Sequence, residues 1–320
     1  MLFRTIDQKR GGDDFPKARE LIEIRGTGEL SLQDRRVMNM LYENAGAKIC
    51  DDVDHVIAIA ELRGTHKGRE RVTDSVLQLM KTIVEVPTRD KKGNPATKLV
   101  QILSDSTVSD DENNPSGQVT YSFSRGMREI IKDSTLWGRV RHAVVFAFTS
   151  KYALALYELI TARINLKHQW QEEFGVEDFR ALLGVPEGKL ERMPNFLQRV
   201  VQPAELEVNG LADFGVKIEV IRTGGSLRGN VTGFRVSWWR KEVGELQAAY
   251  EELKRAKVGR LARLRGETEG ASVSPSLLPD RIMATVDAMR AAGAPEADID
   301  AFMRQQSAER LKDTPLSEPV

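Results

Sequence analysis

The stretch from Arg192 to Glu205 carries side chains suited to reading base edges. On a helical wheel at about 100° per residue, Arg192, Asn195, Gln198, Arg199, Gln202 and Glu205 share one arc. Phe196, Leu197, Val200, Val201, Ala204 and Val208 take the opposite arc. Arginine can pair with both major-groove acceptors of guanine, and asparagine or glutamine with adenine's donor and acceptor. Solvated helix faces are more often lysine- and glutamate-rich, so this composition predicts a helix that reads DNA. Its bland counterpart is an ordinary polar face. Pro203 interrupts the pattern and predicts a bend.

Two further groups suit phosphate contact. Arg222 and Arg228 flank a Gly-rich turn, Thr223-Gly-Gly-Ser-Leu-Arg-Gly-Asn, between two strand-like runs. The turn lacks the Gly-Lys-Ser/Thr ending of a phosphate loop and leads into a strand, so a wing tip is expected. Lys67, Arg69, Arg71, Ser75 and Gln78 lie at the start or along one face of a helix expected over about 68–86. They predict a second DNA-reading surface; the alternative is a domain that serves only as a dimer interface.

These groups need a scaffold, and the elements around them follow one order twice. Ser31 is a good N-cap for a helix to about Ala45. A short apolar run from Ile57 comes next, then the helix over 68–86 with Val72, Val76, Leu79, Met80 and Ile83 on one face, then strands at 98–103 and 118–123 around a polar loop. The second half has a helix capped by Ser150, a short helix over 176–183 closed by Gly184, the helix of the reading arc, and a hairpin ending in Trp238 and Trp239. Adjacent on a strand, these two face opposite ways: one is expected in the core, the other under the following helix. Helices followed by a two-stranded hairpin are the winged-helix order. The fold class is therefore α+β, tandem winged-helix domains with a helical C-terminal tail. The expected boundaries are an arm over 1–29, with 1–20 mobile and a short strand at 21–24, a first winged helix over 30–135, a second over 136–265 including a basic helix, and a linker and acidic tail over 266–320.

Charge supports the placement. The net charge of the 320 residues is zero, but 217–265 holds 12 Lys+Arg against 5 Asp+Glu, a net of +7, while 266–320 has a net of −5. A basic block beside an acidic tail suggests a local phosphate-binding patch. In the tail, Ile282, Val286 and Met289, then Ile299, Phe302 and Met303, suggest two short helices. Enzymatic chemistry is not expected. The four histidines, His55, His66, His142 and His168, are not at metal-ligand spacing. There is no Gly-x-Ser-x-Gly elbow, and Asp110, Asp111 and Glu112 sit in a loop. No cofactor or metal is expected. The single cysteine, Cys50, and the lack of a long apolar run or signal-like start predict a cytoplasmic protein.

Several segments also resemble the iteron-type plasmid replication initiators. Ser150-Lys-Tyr-Ala-Leu-Ala-Leu-Tyr-Glu-Leu is similar to their Ser-x-Tyr-Ala-x-x-Leu-Tyr-x-Leu segment. Phe179-Arg-Ala-Leu-Leu-Gly-Val resembles the next helix, and Phe196-Leu-Gln-Arg-Val-Val-Gln-Pro-Ala with Glu207-Val-Asn resembles the third, Pro203 included. Gly233-Phe-Arg-Val resembles the last wing strand. The likeness is specific over 150–240, looser over 30–135, and absent over 266–320. Ala155 departs from it, standing where arginine is frequent. The resemblance implies two winged helices binding double-stranded DNA at directly repeated origin sites. It further implies origin opening with a host initiator and helicase, a homodimer in equilibrium with monomer, and repression of the protein's own gene by the dimer. A winged-helix transcriptional regulator without a replication role is the alternative.

Overall fold

The computed structural model describes residues 13–63, 72–109, 116–225 and 229–267, which belong to one compact unit. The chain enters through β1 (Asp14–Ala18) and a short helix, α1 (Arg19–Ile22). The first winged helix then runs α2 (Leu32–Ala45), β2 (His55–Ala58), α3 (Ile59–Arg63) and α4 (Val72–Lys81). A hairpin, β3 (Ile83–Arg89) and β4 (Pro95–Gln101), leads to β5 (Leu103–Val108) and β6 (Gln118–Phe123). The strands β2, β6 and β5 form an antiparallel sheet in that order. Next come α5 (Arg125–Asp133), β7 (Trp137–Arg141), which pairs with β1, and α6 (His142–Ala147).

The second winged helix repeats the plan. It runs α7 (Lys151–Thr161), β8 (Gln171–Gly175), α8 (Val176–Leu182), then α9 (Met193–Phe196), a π-helical turn (Leu197–Val201) and α10 (Gln202–Leu211). The wing strands β9 (Phe214–Arg222) and β10 (Val231–Arg240) complete the sheet, in the order β8, β10, β9. In both sheets the strand after the first helix pairs with the last strand. Two helices close the unit, α11 (Val243–Lys254) and α12 (Arg260–Leu264).

Local chemistry explains the ends. The Ser31 hydroxyl accepts from Asp34 N at 3.1 Å and Ser31 N donates to the Asp34 carboxylate at 2.8 Å, a capping box at α2. The Ser150 hydroxyl caps α7 through Tyr152 N. Apolar side chains from both halves form one continuous core, with Phe179 packed on Phe234 and Tyr157 stacked on Phe214.

Several expectations are corrected. From Asp13 onward the expected arm is part of the body: β1 is paired along its length, and Phe15 and Ala18 are buried. Residues 19–22 form a helix in place of the strand expected over 21–24. The helix expected over 68–86 ends at Lys81, and Ile83–Arg89 is a strand. The polar run after Leu103 begins as a strand, β5, rather than a loop. Beyond Glu267 the expected tail helices lie outside the described residues, as do Asp110, Asp111 and Glu112.

A histidine ties α6 to α2. His142 Nδ1 lies 3.0 Å from a Glu43 carboxylate oxygen, which holds the imidazole above its ordinary value of 6.5 despite partial burial. A base raised on folding stabilises fully below pH 6.5 and loses that contribution as pH rises through its folded value. Stability of the protein is therefore expected to fall as pH rises from about 6.5, the ordinary value of a free histidine. His142→Gln should flatten that slope in urea titrations from about pH 6.5 into mildly alkaline pH; an unchanged slope would assign it elsewhere.

Candidate nucleic-acid interface

The arc on α9–α10 depends on how its helix is held. Gly184 ends α8 at φ +71, the left-handed region, and a Cβ there would collide with the Arg35 guanidinium. Arg180 donates to Leu190 O at 3.0 Å and to Lys189 O, bracing the loop before α9, and its guanidinium lies 4.9 Å from the Phe196 ring centre. Phe196, Val200, Val201, Ala204 and Val208 are buried, as the wheel predicts. Arg192, Gln198, Arg199 and Gln202 are exposed and Asn195 is half-buried. Among the described residues, none of these five side chains makes a hydrogen bond or ion pair. Their donors and acceptors are unspent, and they stand together on one helix.

The π turn explains how Pro203 is accommodated. Proline has no N–H to give to the preceding turn, and the wider turn places that gap where the ladder is already rearranged. The extra residue also rotates the remainder of the helix, which takes Glu205 off the exposed arc. Its carboxylate accepts from Ile218 N at 3.3 Å and lies 3.4 Å from Lys217 Nζ, and burial pushes its pKa up.

Glu207 and Asn209, two motif residues, are structural. Fully buried Glu207 accepts from Thr149 N at 3.0 Å, Ser150 N at 3.3 Å and the Thr149 hydroxyl. Asn209 bonds the backbone of Val216 in both directions, at 2.8 and 2.9 Å, and fixes α10 to β9.

Arg222 is half-buried at the wing, and its Nη1 donates to Gly229 O at 3.0 Å. Arg228 lies outside the described residues. The rest of the Arg222 guanidinium remains for a phosphate. Arg222→Ala is expected to weaken specific and random DNA about equally and to reduce the salt slope of binding by about one unit. Altered sequence preference with an unchanged slope would contradict it.

The first domain departs most from expectation. Ser75 is 1% exposed, so it cannot face DNA. It stands three residues after Val72 and four before Leu79, on the buried stripe of α4. Gln78 is half-buried, and Lys67, Arg69 and Arg71 lie outside the described residues. The β3–β4 tip, at the turn signal Gly93-Asn94-Pro95, exposes Arg89, Lys91 and Lys92 around a turn closed by Asp90.

The basic block is less available than its charge count implies. The single helix expected over 242–265 stops at Lys254 and resumes at Arg260, after Gly259 at φ +72. Arg260 is buried against Glu252 at 3.1 Å, and Arg263 reaches the same carboxylate at 2.6 Å. Trp238 is in the core; Trp239 is 39% exposed, its indole lying over Gly215 rather than under the next helix.

Among the described residues, no group of His, Cys, Asp and Glu could hold a metal ion, and no helix is long and apolar enough to cross a membrane. Residues 15–161 match the family described as "Initiator Replication protein, WH1", and residues 175–238 match "Initiator Rep protein, WH2". No curated protein sequence matches. Among solved structures, the chain is similar to domains 2 and 3 of RctB, with 10% identity and a TM-score of 0.38 over 66% of this chain and 82% of that one.

Proposed function

The chain belongs to the initiator Rep protein family and is a replication initiator with two winged-helix domains, and from that premise we propose that it binds directly repeated sites in its origin. The helix α9–α10 enters the major groove with Arg192, Asn195, Gln198, Arg199 and Gln202 toward the bases. The first winged helix takes a neighbouring groove about 10 bp away, so that one monomer covers roughly 20 bp. The protein acts without catalysis. It opens the origin together with a host initiator and helicase, and a dimer, in equilibrium with the monomer, represses its own gene.

One observation carries this reading: five side chains able to pair with base edges or phosphates, four exposed and Asn195 half-buried, stand unbonded on the third helix of the second domain. A site selected by the wild-type protein from a pool of random-sequence duplexes supplies the test. Gln198→Ala and Arg199→Ala should each cost about 1–3 kcal/mol of affinity for that site and relax preference at one base position. Wild-type affinity in both variants would remove α9–α10 from base reading.

A further inference from the structure

Two winged helices on one chain can be joined loosely or locked. Here they are locked by buried charge. Lys17 of β1 places its ammonium 2.8 Å from the Asn39 side-chain oxygen on α2 and 2.9 Å from the Glu158 carboxylate on α7. The Asn39 amide donates to the other Glu158 oxygen at 2.7 Å. The three residues are between 1% and 3% exposed. The group ties the N-terminal strand and the first helix of one winged helix to α7, whose Tyr157 stacks on Phe214 at the start of the other's wing.

More contacts surround it. Lys151 Nζ, at the start of α7, donates to Leu30 O at 3.0 Å and to Gly28 O. Arg36 of α2 donates to Phe146 O at 3.1 Å and to Phe148 O, the backbone leading into α7. Apolar packing tolerates alternative arrangements of similar stability. A buried ion cluster does not, because a small displacement leaves a charge desolvated and unpaired.

We infer that the Lys17–Asn39–Glu158 lock is a specificity-determining device: by holding the two winged helices in one relative placement, it sets the base-pair spacing between the DNA segments they read. This rests on the reading that both winged helices contact DNA. One inserted base pair turns the second segment by about 35° around the duplex and moves it about 3.4 Å. A locked protein cannot follow, whereas one held by apolar packing alone lacks the device that makes a single placement unique.

The test uses the full chain and the site selected from random duplexes, with zero, one or two base pairs inserted between the two segments. The triple variant Lys17→Met, Asn39→Leu, Glu158→Leu removes the whole cluster, so no charge is stranded. Wild type should lose about tenfold in affinity or more for one inserted pair, and the folded triple variant less than about threefold, the discrimination scale of a misplaced base contact. A triple variant with the wild-type loss would overturn the inference. If the triple variant does not fold, the double variant Lys17→Met, Glu158→Gln decides: it removes both charges of the cluster, it should show a reduced insertion penalty, and an unchanged penalty would overturn the proposal. Wild-type protein indifferent to insertion would instead refute the two-groove reading itself, an outcome visible without any variant.

Discussion

Glu207→Leu is expected to lower folding stability by about 3–5 kcal/mol, a large share of a typical domain's total. The carboxylate is the acceptor for two backbone N–H groups, on Thr149 and Ser150, and for the Thr149 hydroxyl. Leucine supplies none of these bonds, and each buried donor left unpaired costs about 1–3 kcal/mol. The segment affected joins α6 to α7, so the loss acts where the first winged helix meets the second. Urea titration monitored by circular dichroism measures it, with the midpoint falling and the slope unchanged. A midpoint within error of wild type would mean that Glu207 is dispensable.

The second large effect concerns where the DNA-binding unit ends. A chain ending after Glu267 should keep wild-type stability and specific DNA binding. A chain ending after Lys257 should lose about 3–5 kcal/mol. It lacks Arg260, which donates to Ala147 O and to Glu252, and Arg263, which donates to the same carboxylate. Of the arginines on Glu252 only Arg255, at 3.8 Å, would remain. Leu264, which packs on Gly210 of α10, would go as well. Thermal unfolding of both chains checks this. Equal melting temperatures would show α12 to be an appendage, and loss of specific binding in the longer chain would place later residues in the DNA-binding core.

The second winged helix is legible in the sequence because its signals are local. Ser150 and Gly184 mark helix ends by their own chemistry, and the apolar positions from Phe196 to Val208 recur at helical spacing. The reading arc comes from the same periodicity. The wheel fails only at Glu205, because it assumes a regular helix across a π turn that Pro203 signals without defining.

Elsewhere, long-range partners decide the outcome. Ile83 continues the apolar stripe of α4 at helical spacing, which conceals the turn into β3, an element fixed by pairing with β4. Asp14–Ala18 reads as a polar arm because Lys17 is charged. Lys17 is buried because Glu158 and Asn39, far along the chain, receive its ammonium. Arg260 and Arg263 count as basic residues in the sequence, yet Glu252 takes up both. Ser75 is a different case. Its place between Val72 and Leu79 is visible in the sequence, and that position is a stronger signal than its polarity.

Footprinting of the monomer on its selected site tests the central claim most directly. Two protected major-groove segments about 10 bp apart, together covering roughly 20 bp, are the predicted result. Protection of a single segment would contradict it, and would leave the second winged helix as the only part of the protein that reads DNA.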